Sequence, residues 1–148
     1  MNMPTAPYNI ASLVPHQGLM CLIDQIIDHS PETIRCRAQV NHNNHPLAQN
    51  GEIPSMVAIE YAAQACAIHG ALIDNAGQSK PGFLVKITNT ELETQALSID
   101  DGPLTIFAQR LGSTDQGCLY KFKVNTSLRC LAQGSLMIAF TDTYIVQA

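Results

Sequence analysis

The rhythm of apolar and polar positions along this chain changes at two points, near Pro54 and near Gly82. Before the first, Leu19 to Asp28 is apolar with few interruptions and reads as a strand. Thr33 to Val40 alternates apolar with polar residues, as a half-buried strand does. From Met56 to Ile73 the alternation stops and the chain is apolar on nearly every side of a helical projection. That predicts a long buried helix, with Ser55 as its N-cap and Gly77 closing it in a left-handed turn. After Gly82 the period returns to two. Strands are predicted over Gly82 to Glu91, Leu104 to Leu111, Cys118 to Thr126 and Arg129 to Thr141. Within Cys118 to Thr126, Tyr120, Phe122 and Val124 share one face, and Lys121 and Lys123 the other. Gly112 to Gly117 reads as a hairpin loop. Asn41 to Ile53 reads as a long polar loop, a kind of segment that is often functional, and Tyr8 to Val14 as a short amphipathic helix or turn.

The predicted order is two strands, a long helix, then four strands. A helix that is apolar all round must be covered all round. An antiparallel sheet curled about it, with another subunit on the remaining side, achieves this in one α+β domain spanning residues 1–148. Composition sharpens that picture. Charged residues make up only 14% of the chain against 46% hydrophobic, so part of the surface is expected to be covered by a second chain. The net charge is −4 with no basic run, which argues against nucleic acid or an anionic membrane as partner. Glu60, Gln64 and His69 interrupt the single long apolar segment, so it is expected to be a core helix and not a membrane span. The five cysteines are scattered, form no C-x-x-C pair and read as buried thiols in a reducing compartment. Residues Met1 to Ser12 have neither the basic nor the apolar part of a signal peptide, so a cytoplasmic location is expected.

The candidate chemistry centres on Glu60. A carboxylate is rarely buried without a partner, because desolvating its charge costs several kcal/mol, and burial favours its protonated form. Gln64 follows one turn later on the same face and is positioned to orient the carboxyl or hold a water. His16 stands in a Pro-Gly loop and His45 in the long loop just ahead of the helix. Either could act as a base; otherwise His16 would hold a loop carbonyl and His45 would be a solvated loop residue. His42 is a weaker candidate. His69 lies about half a turn round the helix from Glu60 and reads as a core or interface residue, and His29 reads as surface. Cys66 points away from Glu60, so a thiol nucleophile is not expected. The chain has no Gly-x-Ser-x-Gly elbow, phosphate-binding loop or dinucleotide fingerprint.

These residues resemble a known family. The order of elements matches the hotdog fold, and Pro54-Ser55…Glu60-x-x-x-Gln64 resembles the helix of the 3-hydroxyacyl-acyl-carrier-protein dehydratases. Leu13-Val-Pro-His16…Met20-x-Leu-Ile-Asp24 resembles their leading segment, and Gly82-Phe-Leu-Val-Lys86 their strand after the helix. The usual Gly-His-Phe-Pro-Gly loop is missing; Pro46 occupies the place of its His, with His45 beside it. That departure is similar to a divergent branch that includes dehydratases of aryl polyene clusters. The resemblance implies a hotdog dimer, an antiparallel sheet wrapped around one long central helix. It implies dehydration of 3-hydroxyacyl groups on acyl carrier protein, with Glu60 as the acid at the leaving hydroxyl. His16, or else His45, would be the base at C2, and Asp24 would be structural. Amides near Met56 and Val57 would stabilise the thioester oxygen. A homodimer or a heteromer with a related subunit is implied, with no metal and no other cofactor. An acyl-thioester hydrolase, or an acyl-binding subunit without chemistry of its own, are the alternatives on the same fold.

Overall fold

A computed structural model describes residues 3–4, 10, 13, 21–41, 43–74, 82–93 and 96–140. Among the described residues, seven strands form one antiparallel sheet around a single long helix. They are β1 (Met3–Pro4), β2 (Gln25–His29), β3 (Thr33–Ala38), β4 (Gly82–Leu92), β5 (Leu104–Thr114), β6 (Gly117–Asn125) and β7 (Cys130–Phe140). The sheet order is β1-β2-β3-β5-β6-β7-β4, so β4, the strand that follows the helix, forms one edge.

The helix, α1 (Val57–Asp74), carries only two charged residues, Glu60 and Asp74. Eleven of its 18 residues are buried, among them Ala58, Tyr61, Ala62, Ala65, Cys66 and Ile68. Ile34, Cys36 and Ala38 of β3, Leu104, Ile106 and Ala108 of β5, and Tyr120, Phe122 and Val124 of β6 join them in the core. Small alanines on α1 let the helix settle close to the larger sheet residues. The period-two reading of β6 holds: Tyr120, Phe122 and Val124 are buried, and Lys121 and Lys123 are exposed.

The sheet's helix side is not covered evenly. α1 packs on β3, β5, β6 and β7. Leu84, Ile87 and Leu92 of β4 pair with Ile138, Leu136 and Ala132, inward-facing residues of β7, yet remain 38–41% exposed. An exposed apolar strip therefore runs along the inner side of the β4 edge.

Several expectations need correction. The first long strand begins at Gln25; just ahead of it the N–H of Leu22 turns to the side chain of Gln64 on α1. The β5–β6 connection is shorter than Gly112 to Gly117: strand pairing runs to Thr114↔Gly117, leaving Asp115 and Gln116 as the turn. Ser55 does not cap the helix; its hydroxyl donates to the carbonyl of Glu93, which lies over the helix start. His29 is 4% exposed and belongs to the interior of β2. Cys36, Cys66 and Cys118 are buried as expected, whereas Cys21 and Cys130 are half-buried. Gly77, His16, His42 and most of the Tyr8 to Val14 segment lie outside the described residues.

Candidate active site

Gln64 is the hinge of the site. It is 1% exposed, and its Oε1 accepts from the backbone N–H of Leu22 at 2.9 Å. A backbone amide only donates, so the atom facing it is the side-chain oxygen, and the other end of the amide is –NH₂. That end donates from Nε2 to Glu60 Oε1 at 3.1 Å. Gln64 thus joins a carboxyl on the helix to the segment Cys21–Asp24, which leads into β2. Asp24 holds the same segment to β3: its N–H donates to Arg37 O at 3.1 Å, and its Oδ2 accepts from Gln39 N–H at 2.6 Å.

Glu60 itself is half-buried. It shares its side of α1 with Ile59, Ala63 and Ala67, also half-buried, so this side of the helix is an apolar surface with a single carboxyl. This is the environment in which a hydrophobic acyl chain and a proton-transferring carboxyl can lie side by side.

His45 is 9% exposed and turned inward. Its Nδ1 accepts from the N–H of Leu47 at 3.1 Å, so that nitrogen carries no proton. The proton of the neutral ring then sits on Nε2, 3.0 Å from the hydroxyl of Tyr61. Tyr61 is 1% exposed, and burial, reinforced by the nearby charge of Asp24, pushes its hydroxyl above the ordinary tyrosine range. It therefore stays protonated and polar at all physiological pH. The pair fastens the loop before α1 onto the helix one residue past Glu60, about 100° round its axis. Further along this loop Asn50 and Gly51, with φ of 53° and 79°, make a two-residue reversal closed by reciprocal bonds between Gln49 and Glu52. Asn-Gly suits that geometry because both positions need φ > 0.

The helix start differs from the expectation. The amides of Val57, Ala58 and Ile59 donate to the carbonyls of Pro54, Ser55 and Met56 at 2.9–3.1 Å, a tightened first turn. The Val57 amide is therefore already satisfied within the chain. The Met56 side chain is 61% exposed beside a cleft lined by Gln49, Glu52, Ser55, Leu92 and Glu93.

The structure thus joins Glu60 to Gln64 and fastens His45 to Tyr61. His16, six residues before Leu22, lies outside the described residues. Two partners escaped the sequence reading. Tyr61 followed Glu60 as one more bulky residue on an apolar helix. The amide of Leu22 has no sequence signature at all. His69 is a core residue, as expected: it is fully buried, with Nε2 2.9 Å from Ser30 O and Nδ1 2.7 Å from the Tyr120 hydroxyl.

Solved structures share this architecture. The dehydratase heterocomplex ApeI:P from Xenorhabdus doucetiae superposes with a TM-score of 0.77 at 20% identity, over 90% of this chain and 91% of that one. A hypothetical thioesterase with coenzyme A from Streptococcus pneumoniae gives 0.61 at 14% identity, over 79% and 84% of the two chains. Thioesterase superfamily member 2 of zebra fish gives 0.64 at 14%, over 89% and 93%. At such identities the likeness establishes the hotdog fold. No curated protein sequence matches. No helix among the described residues is long and apolar enough to cross a membrane. A family model described as ApeP dehydratase matches residues 8–145, nearly the whole chain, and on that match this protein belongs to the ApeP-like dehydratase family.

Proposed function

We propose that this protein dehydrates 3-hydroxyacyl thioesters carried on acyl carrier protein, giving trans-2-enoyl thioesters, as one subunit of a hotdog dimer or heteromer. The observation that carries the reading is the Glu60–Gln64–Leu22 chain of hydrogen bonds: a single carboxyl, oriented by a buried amide, on an otherwise apolar helix face. Because the amide N–H of Gln64 points at Oε1, that oxygen is favoured as the carbonyl-like acceptor and Oε2 as the oxygen that carries the proton. Protonated Oε2 is then the donor to the C3 hydroxyl as it leaves as water, while a base removes the proton from C2.

His16 is our assignment for that base. Its segment runs into Leu22, which Gln64 anchors, so one side chain would align acid and base together. His45 remains the second candidate, but both its ring nitrogens already serve the loop and Tyr61, which suits a positioning residue better. Met56 stands at the mouth of the cleft, and its amide is the candidate donor to the thioester oxygen now that Val57's is engaged. The acyl chain would lie along Ala63, Ala67 and the exposed strip of Leu84, Ile87 and Leu92, roofed by a partner subunit. That a neighbour in fold is a dehydratase heterocomplex supports a related partner chain. An aryl polyene precursor is the substrate this family membership favours. The pantetheine arm holds the thioester, so the scheme needs no metal or redox cofactor.

The test is loss of water from 3-hydroxyacyl carrier protein, followed by intact mass, for the protein alone and with its partner subunit. Wild type should lose water, and Glu60→Gln and His16→Ala should not. Release of free thiol in place of water would replace this reading with the hydrolase, an activity consistent with the thioesterases that share the fold.

A further inference from the structure

Read along the chain, the cations are scattered from Arg35 to Arg129 and form no basic run. The sheet register gathers them. Arg35 and Arg37 point outward from β3, and Lys121 and Lys123 from β6; Ile34, Cys36, Phe122 and Val124 between and beside them are buried on the helix side. Lys86 of β4 pairs with the outward Met137. Five of the seven described Lys and Arg residues therefore stand on the outer face of one sheet, against two carboxylates there, Asp28 and Glu91. Arg35 reaches Asp28 at 3.6 Å; among the described residues Arg37, Lys86, Lys121 and Lys123 have no carboxylate partner. The rest of this acidic chain, whose net charge is −4, is correspondingly more negative. The charges are segregated by the fold.

The outer face also has shape. Its rows run Arg35–Phe107–Lys123–Gln133–Glu91 and Thr33–Gln109–Lys121–Ser135–Thr88 across β3, β5, β6, β7 and β4. Gln109, Lys121 and Ser135 of the second row and Phe107 to Glu91 of the first frame a groove of about 690 Å³ in which Phe107, Lys121 and Lys123 meet Gln109 and Gln133. Lys121 and Lys123, two apart on one strand, are roughly 7 Å from each other. A nucleic acid or an anionic bilayer would gain from an unbroken positive field. Amides, an aromatic ring and two interspersed carboxylates instead suit a protein surface with its own carboxylates, hydroxyls and apolar contacts.

We propose that this outer sheet face docks an acidic protein, and that the protein is the carrier bearing the acyl thioester; the second clause rests on the dehydratase reading above. The field of the face steers the carrier to the enzyme, and the lysines hold carboxylates of its surface while the flexible arm reaches the Glu60 side.

The experiment compares the assembled wild-type dehydratase with Lys121→Glu/Lys123→Glu and with Lys121→Gln/Lys123→Gln. Each is given the same 3-hydroxyacyl group on carrier protein and on a free pantetheine thioester. Both lysines are exposed, and far-UV circular dichroism and thermal midpoints should match wild type. KM for the carrier-bound substrate is expected to rise about tenfold with Glu and less with Gln, with the free thioester unaffected. Raising sodium chloride from about 50 to 300 mM should shrink the difference, since exposed charges are screened beyond about 10 Å at 0.1 M salt. An unchanged KM for carrier substrate, or an equal rise for both substrates, overturns the proposal. If neither substrate loses water, the dehydratase reading has failed separately, and binding of carrier protein without acyl group, measured by calorimetry, decides the face. Salt-sensitive binding that the Glu variant abolishes sustains docking. Binding that the variant leaves intact refutes it, as does wild-type binding only to duplex DNA, to vesicles of anionic lipid or to a second copy of this chain.

Discussion

Glu60 and His69 lie nine residues apart on the same apolar helix, and the fold treats the two polar side chains in opposite ways. His69 is fully enclosed. Ser30 O only accepts, so Nε2 donates to it, and the Tyr120 hydroxyl donates to Nδ1. Both ring nitrogens are used within the chain, and the ring stitches α1 to the β2–β3 turn and to β6. Glu60 is half-buried, and Gln64 orients it by donating to Oε1. A polar group whose hydrogen bonds are completed inside the core contributes structure. One that is oriented and left at the edge of an apolar surface is available for chemistry.

Substitutions at the two positions should separate cleanly, and the largest effect belongs to Glu60. Glu60→Gln keeps the shape and a hydrogen-bonding partner for Gln64 but removes the transferable proton. Dehydration should fall by about 10²–10⁴, the usual contribution of a positioned general acid. The urea midpoint should move little. A variant that unfolds more easily yet turns over normally would make Glu60 a second His69 and end the comparison.

His69→Leu should do the reverse. It strands Ser30 O and the Tyr120 hydroxyl in the core, and a buried polar group left without a partner costs about 1–3 kcal/mol. A total loss of about 2–4 kcal/mol in unfolding free energy is expected, with turnover per folded molecule unchanged. Tyr120→Phe, made in the same background, should then add little, because the two side chains share one bond.

Gln64→Leu tests the link between them, since Gln64 is buried like His69 yet touches Glu60. Turnover should drop about tenfold while the acid itself remains, the size of effect expected when about 1.4 kcal/mol of orientation is lost. Leu22 N–H also loses its acceptor, so stability should fall by about 1–2 kcal/mol. Gln64→Glu keeps an acceptor for Leu22 but sets a second carboxyl against Oε1 of Glu60. It should restore stability at low pH before it restores turnover.

How far these roles could be read from the residues depends on what kind of signal each one leaves. The helix and the strands after it were legible, because period and burial agree along Val57–Asp74 and Gly117–Asn125. Glu60 with Gln64 was legible as a spacing on one helix face. The partner of Gln64 was not, since a backbone amide has no side-chain signature and Leu22 sat inside an apolar run that looked like strand. His29 misled for a related reason: a His beside a Ser-Pro turn suggests surface, but β2 is covered here on the side where His29 points. Ser55 had the composition of a cap and was drawn off by the carbonyl of Glu93, a residue brought near only by the tertiary fold. The outer basic face was hidden most deeply, because its cations come from three strands far apart in sequence.

The smallest effect is the pH dependence that His69 should impose on stability. Burial, which disfavours the charged ring, pulls its pKa below the ordinary 6.5; Arg110 and His29 push the same way, while the bond to Ser30 O and the charge of Asp74 oppose them. The folded pKa is therefore below the unfolded one. Between the two, the unfolded chain binds a proton that the folded chain does not, so unfolding is favoured as pH falls. Above about pH 7.5 both states are neutral at this site and its contribution is flat. From there down through 6.5 stability should decline, with a slope that approaches but does not exceed about 1.4 kcal/mol per pH unit. Urea midpoints between pH 5 and 8 measure this, and His69→Leu should flatten the part of the slope that is its own. A wild-type curve indistinguishable from that of His69→Leu would mean that the core tolerates the imidazolium. The Tyr120 hydroxyl would then have to turn and accept from Nδ1, and the enclosure that sets His69 apart from Glu60 would be looser than its hydrogen bonds imply.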